Sequence, residues 1–277
     1  MANSSCELRA LGDVEVEVAI DWAAAEGWNP GVHDADTFAA ADDGAFIGGF
    51  LGEDLVAVVS AVRYGRAFGF VGFYIVAPEH RGRGFGLQVW RAAIDRLAGR
   101  TIGLDGVLEQ EQTYRRSGFE AAFHSARFAG LAPGVVDLAG MPFDAVVAFD
   151  RRFFPANRTR LLSAWVRQPD AVAQAVVGGD GATVGYAVRR ACRTGYKIGP
   201  LFAHTPAVAD ALFCSVTADL GPHDEVFLDV PLTNPRAIAL AERHHLTPVF
   251  ETVRMYTAPA PRVAADRAFG ITSFELG

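Results

Sequence analysis

Residues 71–86, VGFYIVAPEHRGRGFG, constrain this chain more than any other stretch. An apolar run of β-branched and aromatic residues stops at Pro78, a basic glycine-rich turn follows, and LQVWRAAIDRLA then carries a helical pattern. The spacing predicts strand, turn and helix in that order. Such a junction is an anion site. Small residues let the backbone approach, several N–H groups point one way, and the helix dipole favours negative charge. Arg81 and Arg83 add charge at the mouth. The expectation is a phosphorylated ligand cradled by Arg81, Gly82, Arg83, Gly84, Phe85 and Gly86.

The glycine order separates the phosphate folds. There is no G-x-x-x-x-G-K-[ST] and so no lysine and hydroxyl pair for a nucleotide and its magnesium. A dinucleotide loop needs G-x-G-x-x-G with an acidic residue about 20 positions on. Asp105 falls near that spacing, but the glycines are in the wrong order. The pattern present is R-x-x-G-x-G, through Arg81, Gly84 and Gly86, and after its strand it resembles the pyrophosphate loop of the GNAT acetyltransferases. A tight surface turn with solvated arginines is the weaker alternative, given the strand before and the helix after.

The flanking segments strengthen that resemblance. Residues 55–64 and 67–76 read as a hairpin about Gly65-Arg66 that feeds the loop. TIGLDGV at 101–107 is a short strand, and the next helix ends at Ser117-Gly118, where glycine suits a left-handed cap. Tyr114, Gly118 and Phe119 form Y-x-x-x-G-F, which resembles the family's second hallmark, a helix tyrosine near the coenzyme A thiol.

The length of 277 residues predicts two domains, and 51% hydrophobic residues suffice for sizeable cores. A net charge of −7 argues against a nucleic-acid surface. No apolar run reaches the length of a membrane span, and MANSSCELRAL lacks the blocks of a signal peptide. Cys6, Cys192 and Cys214 are widely spaced, as reduced thiols of a cytoplasmic protein would be, rather than a zinc site or a disulfide frame. The excess of Ala, Gly, Arg and Val over Lys and Ile accompanies GC-rich bacterial genomes.

Around GLAPGVVDLAGMP, residues 130–142, the chain turns small and poor in charge, which places a domain boundary between 1–132 and 133–277. Beyond it the order of elements repeats. A helix at 158–166, strands at 183–190 and 195–202, a helix at 206–220, EVFLDVP, a helix at 234–246 and PVFETVRMYTA answer the first half in turn. The second half has only Ala-His-Thr where the first has its cradle. The whole chain therefore resembles two-domain bacterial acetyltransferases with a catalytic first module and a degenerate, structural or substrate-shaping second one. The fold class expected is α/β (α+β), two tandem modules, each a mixed, mostly antiparallel sheet flanked by helices.

The resemblance implies acetyl-CoA as cofactor, with Tyr74, Ile75 and Val76 lying along its pantetheine arm, and direct transfer of acetyl to a primary amine of a small molecule. Tyr114 is the expected general acid, or else a packing tyrosine. A general base is expected among Asp105, Glu79 and His124, in that order. The loop EGWNPGVHDADTF offers Trp28, Asn29, Asp34 and Asp36, with Trp22 nearby, to a cationic amine, or else caps a helix. A homodimer stays open, as do an acyl-CoA sensor without turnover, a longer acyl donor and an alcohol acceptor.

Overall fold

A computed structural model describes residues 5–131 and 143–277. The predicted boundary at residues 130–135 therefore lies largely outside the described residues. The first module begins with β1 (Glu7–Ala10), α1 (Asp13–Ala25) and α2 (Asp34–Ala39). The antiparallel strands β2 (Phe46–Leu51), β3 (Asp54–Tyr64) and β4 (Phe68–Val76) follow, then α3 (Phe85–Arg96), β5 (Thr101–Val107), α4 (Glu111–Arg116) and β6 (Glu120–Leu131). The second module runs through α5 (Phe143–Asp150), α6 (Thr159–Arg167), β7 (Val172–Val177), β8 (Thr183–Ala191) and β9 (Tyr196–Ala203). It closes with α7 (Pro206–Val216), β10 (Glu225–Pro231), α8 (Pro235–Arg243), β11 (Thr247–Tyr256) and the short β12 (Ala268–Gly270).

These elements build one mixed sheet flanked by helices, in the order β1-β2-β3-β4-β5-β11-β6-β10-β9-β8-β7, with β12 beside β9. The order is palindromic about its middle. β4 and β5 run parallel, as do β9 and β10, and the two modules exchange their last long strands. β11 pairs with β5 of the first module, β6 pairs with β10 of the second, and the two exchanged strands pair with each other. Val253 and Met255 of β11 thus belong to the core beneath α3, while Ala126 and Phe128 of β6 belong to the core beneath α7 and α8.

Two parallel pairs open into clefts. β4 and β5 stay in register only from Phe68↔Thr101 to Val71↔Leu104. Beyond that point β4 bulges, because Phe73 and Tyr74 together face Val59, and Phe73 adopts a left-handed φ of 49°. β9 and β10 part after Ile198↔Leu228 in the same way. Here, however, the chain fills its own gap: β12 pairs with Phe202 and Leu201 of β9, and Ile271 N donates to Asp229 O of β10 at 2.9 Å.

Candidate active site

The first cleft opens into a cavity of about 510 Å³. Its walls are the diverging β4 and β5, with Trp90 and Tyr114 at one end and Trp28, Phe250 and Phe274 at the other. The anion loop stands at the head of β4. Gly82 and Gly84 take positive φ values of 74° and 86°, and a methyl group on Gly82 would meet nothing within 4 Å, so the loop's surface is open there. Gly84 is the N-cap of α3 and supplies no side-chain cap. The first-turn N–H groups of α3 are thus left for an outside acceptor. The corresponding helix of the second module is closed, because the Thr205 hydroxyl accepts from Val208 N at 3.3 Å and Pro206 occupies the first turn. A pyrophosphate therefore fits the first loop, with its open Gly82 and its uncapped helix.

Arg81 lines the cavity and also anchors the loop. Its Nε donates to Val76 O at 3.0 Å and its Nη2 holds Glu26, so it fastens the loop to the end of β4 and to the residue following α1. Arg83 leans on His80 at 2.9 Å and over the Phe85 ring. Gly86 is needed for packing: a methyl group there would lie 2.7 Å from the Tyr74 hydroxyl. Tyr74, Ile75 and Val76 all line the cavity on the free edge of β4.

Tyr114 is buried against Trp90, with ring centroids 5.6 Å apart, and burial, with Tyr74 beside it, pushes its phenol up to about 12. It therefore keeps its proton throughout the physiological range. Gly106 makes room for this ring, since a methyl group there would sit 2.4 Å from it.

Asp105 faces the same cavity, but both its oxygens accept from Arg254 of β11 at 2.6 Å. Burial raises its carboxyl above the usual value, against the pull of Arg254. Glu79 is exposed on the turn after β4, and His124 is exposed on β6; neither lines the cavity.

The predicted acceptor loop divides. Trp28 lines the cavity. Asn29 instead ties the loop to the second module, exchanging hydrogen bonds with Thr194 at 2.9 Å. Asp34 is fully buried, accepts from Gly31 N at 2.7 Å and pairs with Arg190 at 2.9 Å, away from the cavity. Asp36 lies on a separate groove between α2 and α6. Asp34 and Asp36 of this loop thus serve structure, as helix-entry contacts and a bridge between modules, while Glu26 and Trp28 line the cleft.

Residues that the sequence pattern did not single out complete the site. Thr252 of β11 lines the cavity with a buried hydroxyl that has no partner among the described residues. Arg127 of β6 also lines it, already held by Asp229 at 2.6 Å and by Trp28 O at 2.7 Å. Phe274 and Glu275 come from the segment after β12. Strand exchange brings Thr252 and Arg127 here, and no local signal marks it.

Elsewhere, Asp210, Cys214 and His244 bring ligand atoms within 4.8 Å of one another. Asp210 is already shared between His244 at 2.8 Å and Arg243 at 3.0 Å, and none of the three lines the cavity.

Comparison with known proteins gives a consistent outcome. The profile of the Acetyltransferase (GNAT) family matches residues 15–119, and that of the Acetyltransferase (GNAT) domain matches residues 146–270. Holothin acyltransferase of a Pseudoalteromonas species is 32% identical over 270 residues, which cover 95% of this chain and 92% of that protein. A candidate acetyltransferase from Pyrococcus horikoshii superposes with a TM-score of 0.82 at 19% identity, over 100% of this chain and 98% of the other. A tandem GNAT protein of the clavulanic acid biosynthesis pathway gives a TM-score of 0.61 at 15% identity, covering 92% of this chain and 100% of its own.

Proposed function

Because this chain belongs to the GNAT acetyltransferase family, we propose that it transfers an acetyl group from acetyl-CoA to the primary amine of a small molecule by direct attack. The observation that carries this is the pairing of an open cleft between β4 and β5 with an uncapped α3 at its head and Tyr114 inside it.

Acetyl-CoA, when bound, supplies an activated carbonyl and a thiolate leaving group. The backbone of Gly82, Arg83, Gly84, Phe85 and Gly86 would hold its pyrophosphate, and the free edge of Tyr74, Ile75 and Val76 would pair with its amide arm as an added strand does. Backbone N–H groups freed at the bulge around Phe73 would polarise the thioester carbonyl, and such donors can lower a barrier by about 2.7–4 kcal/mol. Tyr114 Oη keeps a proton available beside the leaving group.

Aromatic walls and the small cavity favour a compact acceptor. The relative named Holothin acyltransferase supports acyl transfer as the reaction. The blocked cleft and capped helix of the second module support one cofactor site per chain, with that module shaping the acceptor end.

The test is a thermal-shift series with acetyl-CoA, coenzyme A and longer acyl-CoAs, followed by thiol release with added amines. Acetyl-CoA is expected to raise Tm, and amines to release thiol. No shift with any CoA ester sinks the proposal; a shift without thiol release leaves a sensor in its place.

A further inference from the structure

The segment after β12 crosses from one cleft to the other. Ile271 and Thr272 press on Gly199 at the fork of β9 and β10, where a methyl group would lie 2.4 Å from Ile271 O. Four residues on, Glu275 presses on Gly72 at the fork of β4 and β5, with a corresponding distance of 2.3 Å to Glu275 O. The pseudo-symmetric glycines thus seat one strand of chain, which plugs the second cleft and delivers a carboxylate into the first.

That carboxylate differs from its neighbours. Asp105, Asp229 and Asp34 are each paired with a buried arginine: Arg254, Arg127 and Arg190. Glu275 is equally buried, yet has no ion-pair partner within 4 Å among the described residues. Its Oε2 accepts from Ser273 Oγ at 2.6 Å, and Oε1 has no hydrogen bond among the described residues. Arg127, Arg190 and Lys197 attract its charge at longer range, while Asp34 and Asp105 oppose it. The unpartnered Thr252 hydroxyl lines the same cavity. Buried polar groups left without partners mark a place kept for a polar ligand.

We propose that Glu275 is the general base of the site, accepting a proton from a primary arylalkylamine seated among Trp28, Phe250 and Phe274. The inference rests on the acyl-transfer function proposed above. Glu275 Oε1 takes one proton from the ammonium nitrogen, whose freed electron pair forms the C–N bond, and solvent takes the second proton from that nitrogen. The C–S bond breaks with its pair on sulfur, and sulfur takes a proton from Tyr114 Oη. Solvent then removes the proton from Glu275 and restores that of Tyr114.

The experiment compares wild type with Glu275→Gln, using benzylamine and tryptamine as acceptors and calorimetry of benzylamine binding without acyl-CoA. The expected result is an unchanged acetyl-CoA thermal shift, benzylamine binding at least tenfold weaker, and turnover lower by about 10²–10⁴-fold. Raising the pH should restore part of that loss, since free amine then forms without a base. Glu275→Asp, which keeps the charge, should recover more turnover than Glu275→Gln. Turnover within threefold of wild type in Glu275→Gln overturns the proposal, as does a wild type that binds acetyl-CoA but acetylates neither amine. Loss of the thermal shift in wild type itself would instead strike the acyl-transfer function, and this inference with it.

Discussion

The carbonyl oxygen of Glu275 lies where the side chain of any residue but glycine at position 72 would begin: a methyl group built on Gly72 would sit 2.3 Å from it. Gly72 is the first β4 residue beyond its last pair with β5, so this contact fixes the later segment to the fork of the cleft. Gly72→Ala cannot be absorbed by rotating a side chain, because the obstacle is backbone. Such overpacking costs roughly 1–3 kcal/mol. The expected outcome is a lower Tm and turnover reduced about 10²-fold, as for a reacting group misplaced by about 1 Å. Normal turnover in Gly72→Ala would show that the position of Glu275 is immaterial.

The proposed acyl-CoA site rests on the open left-handed loop. Gly84 has φ 86° and caps α3 through its backbone alone. In Gly84→Glu a side chain is forced into a conformation that L-residues rarely adopt, and a negative charge is placed where an anion should bind. The Tm rise caused by acetyl-CoA should disappear, while far-UV circular dichroism stays that of wild type. A retained rise would place the cofactor elsewhere.

Tyr114→Phe separates chemistry from binding. Turnover should fall by about 10²-fold with little change in the acetyl-CoA shift, in keeping with loss of a proton donor. A stability signature accompanies it. The phenol is pushed up to about 12 in the fold by burial, from about 10 in an unfolded chain. The neutral ring's contribution is thus complete below about pH 10 and is lost as pH rises through about 12, amounting to about 3 kcal/mol. Urea midpoints measured from pH 9 to 11.5 should fall less steeply in Tyr114→Phe than in wild type. Equal slopes, or unchanged turnover, would remove Tyr114 from its role.

Asp105 and Arg254 join β5 of the first module to β11 of the second by two hydrogen bonds of 2.6 Å in a buried setting. Arg254→Met leaves a buried carboxylate without its partner, which costs about 3–5 kcal/mol. The combined Asp105→Asn, Arg254→Met protein should be destabilised by clearly less than the sum of its single changes. Urea denaturation of the four proteins in the cycle measures this, and strict additivity would mean that the pair is not coupled.

Much of the first module was legible because its signals are local. The strand, loop and helix across residues 68–96, the left-handed cap at Gly118 and the repeat of elements in the second half all depend on neighbours in the chain. Aspartates were harder to place. Asp34 and Asp105 carry the same composition signal whether they meet a ligand or an arginine, and here Arg190 and Arg254, far along the chain, take them. Arg81 looked like an anion ligand by charge alone, but its fork is held by Val76 O and Glu26.

The sequence by itself determined the anion loop, the tyrosine helix and the two-module order, since backbone conformation and hydrophobic period are written residue by residue. Only the tertiary structure decided which strand stands beside which. Because β6 and β11 have similar patterns, either could complete either module locally, and the choice rests on packing across the whole sheet. That exchange carries Arg127, Thr252 and Arg254 to the cleft, and the crossing segment carries Glu275. The loop at 81–86 marks where the proposed function seats a ligand's phosphates; long-range pairing assembles the groups at the far end of the cleft.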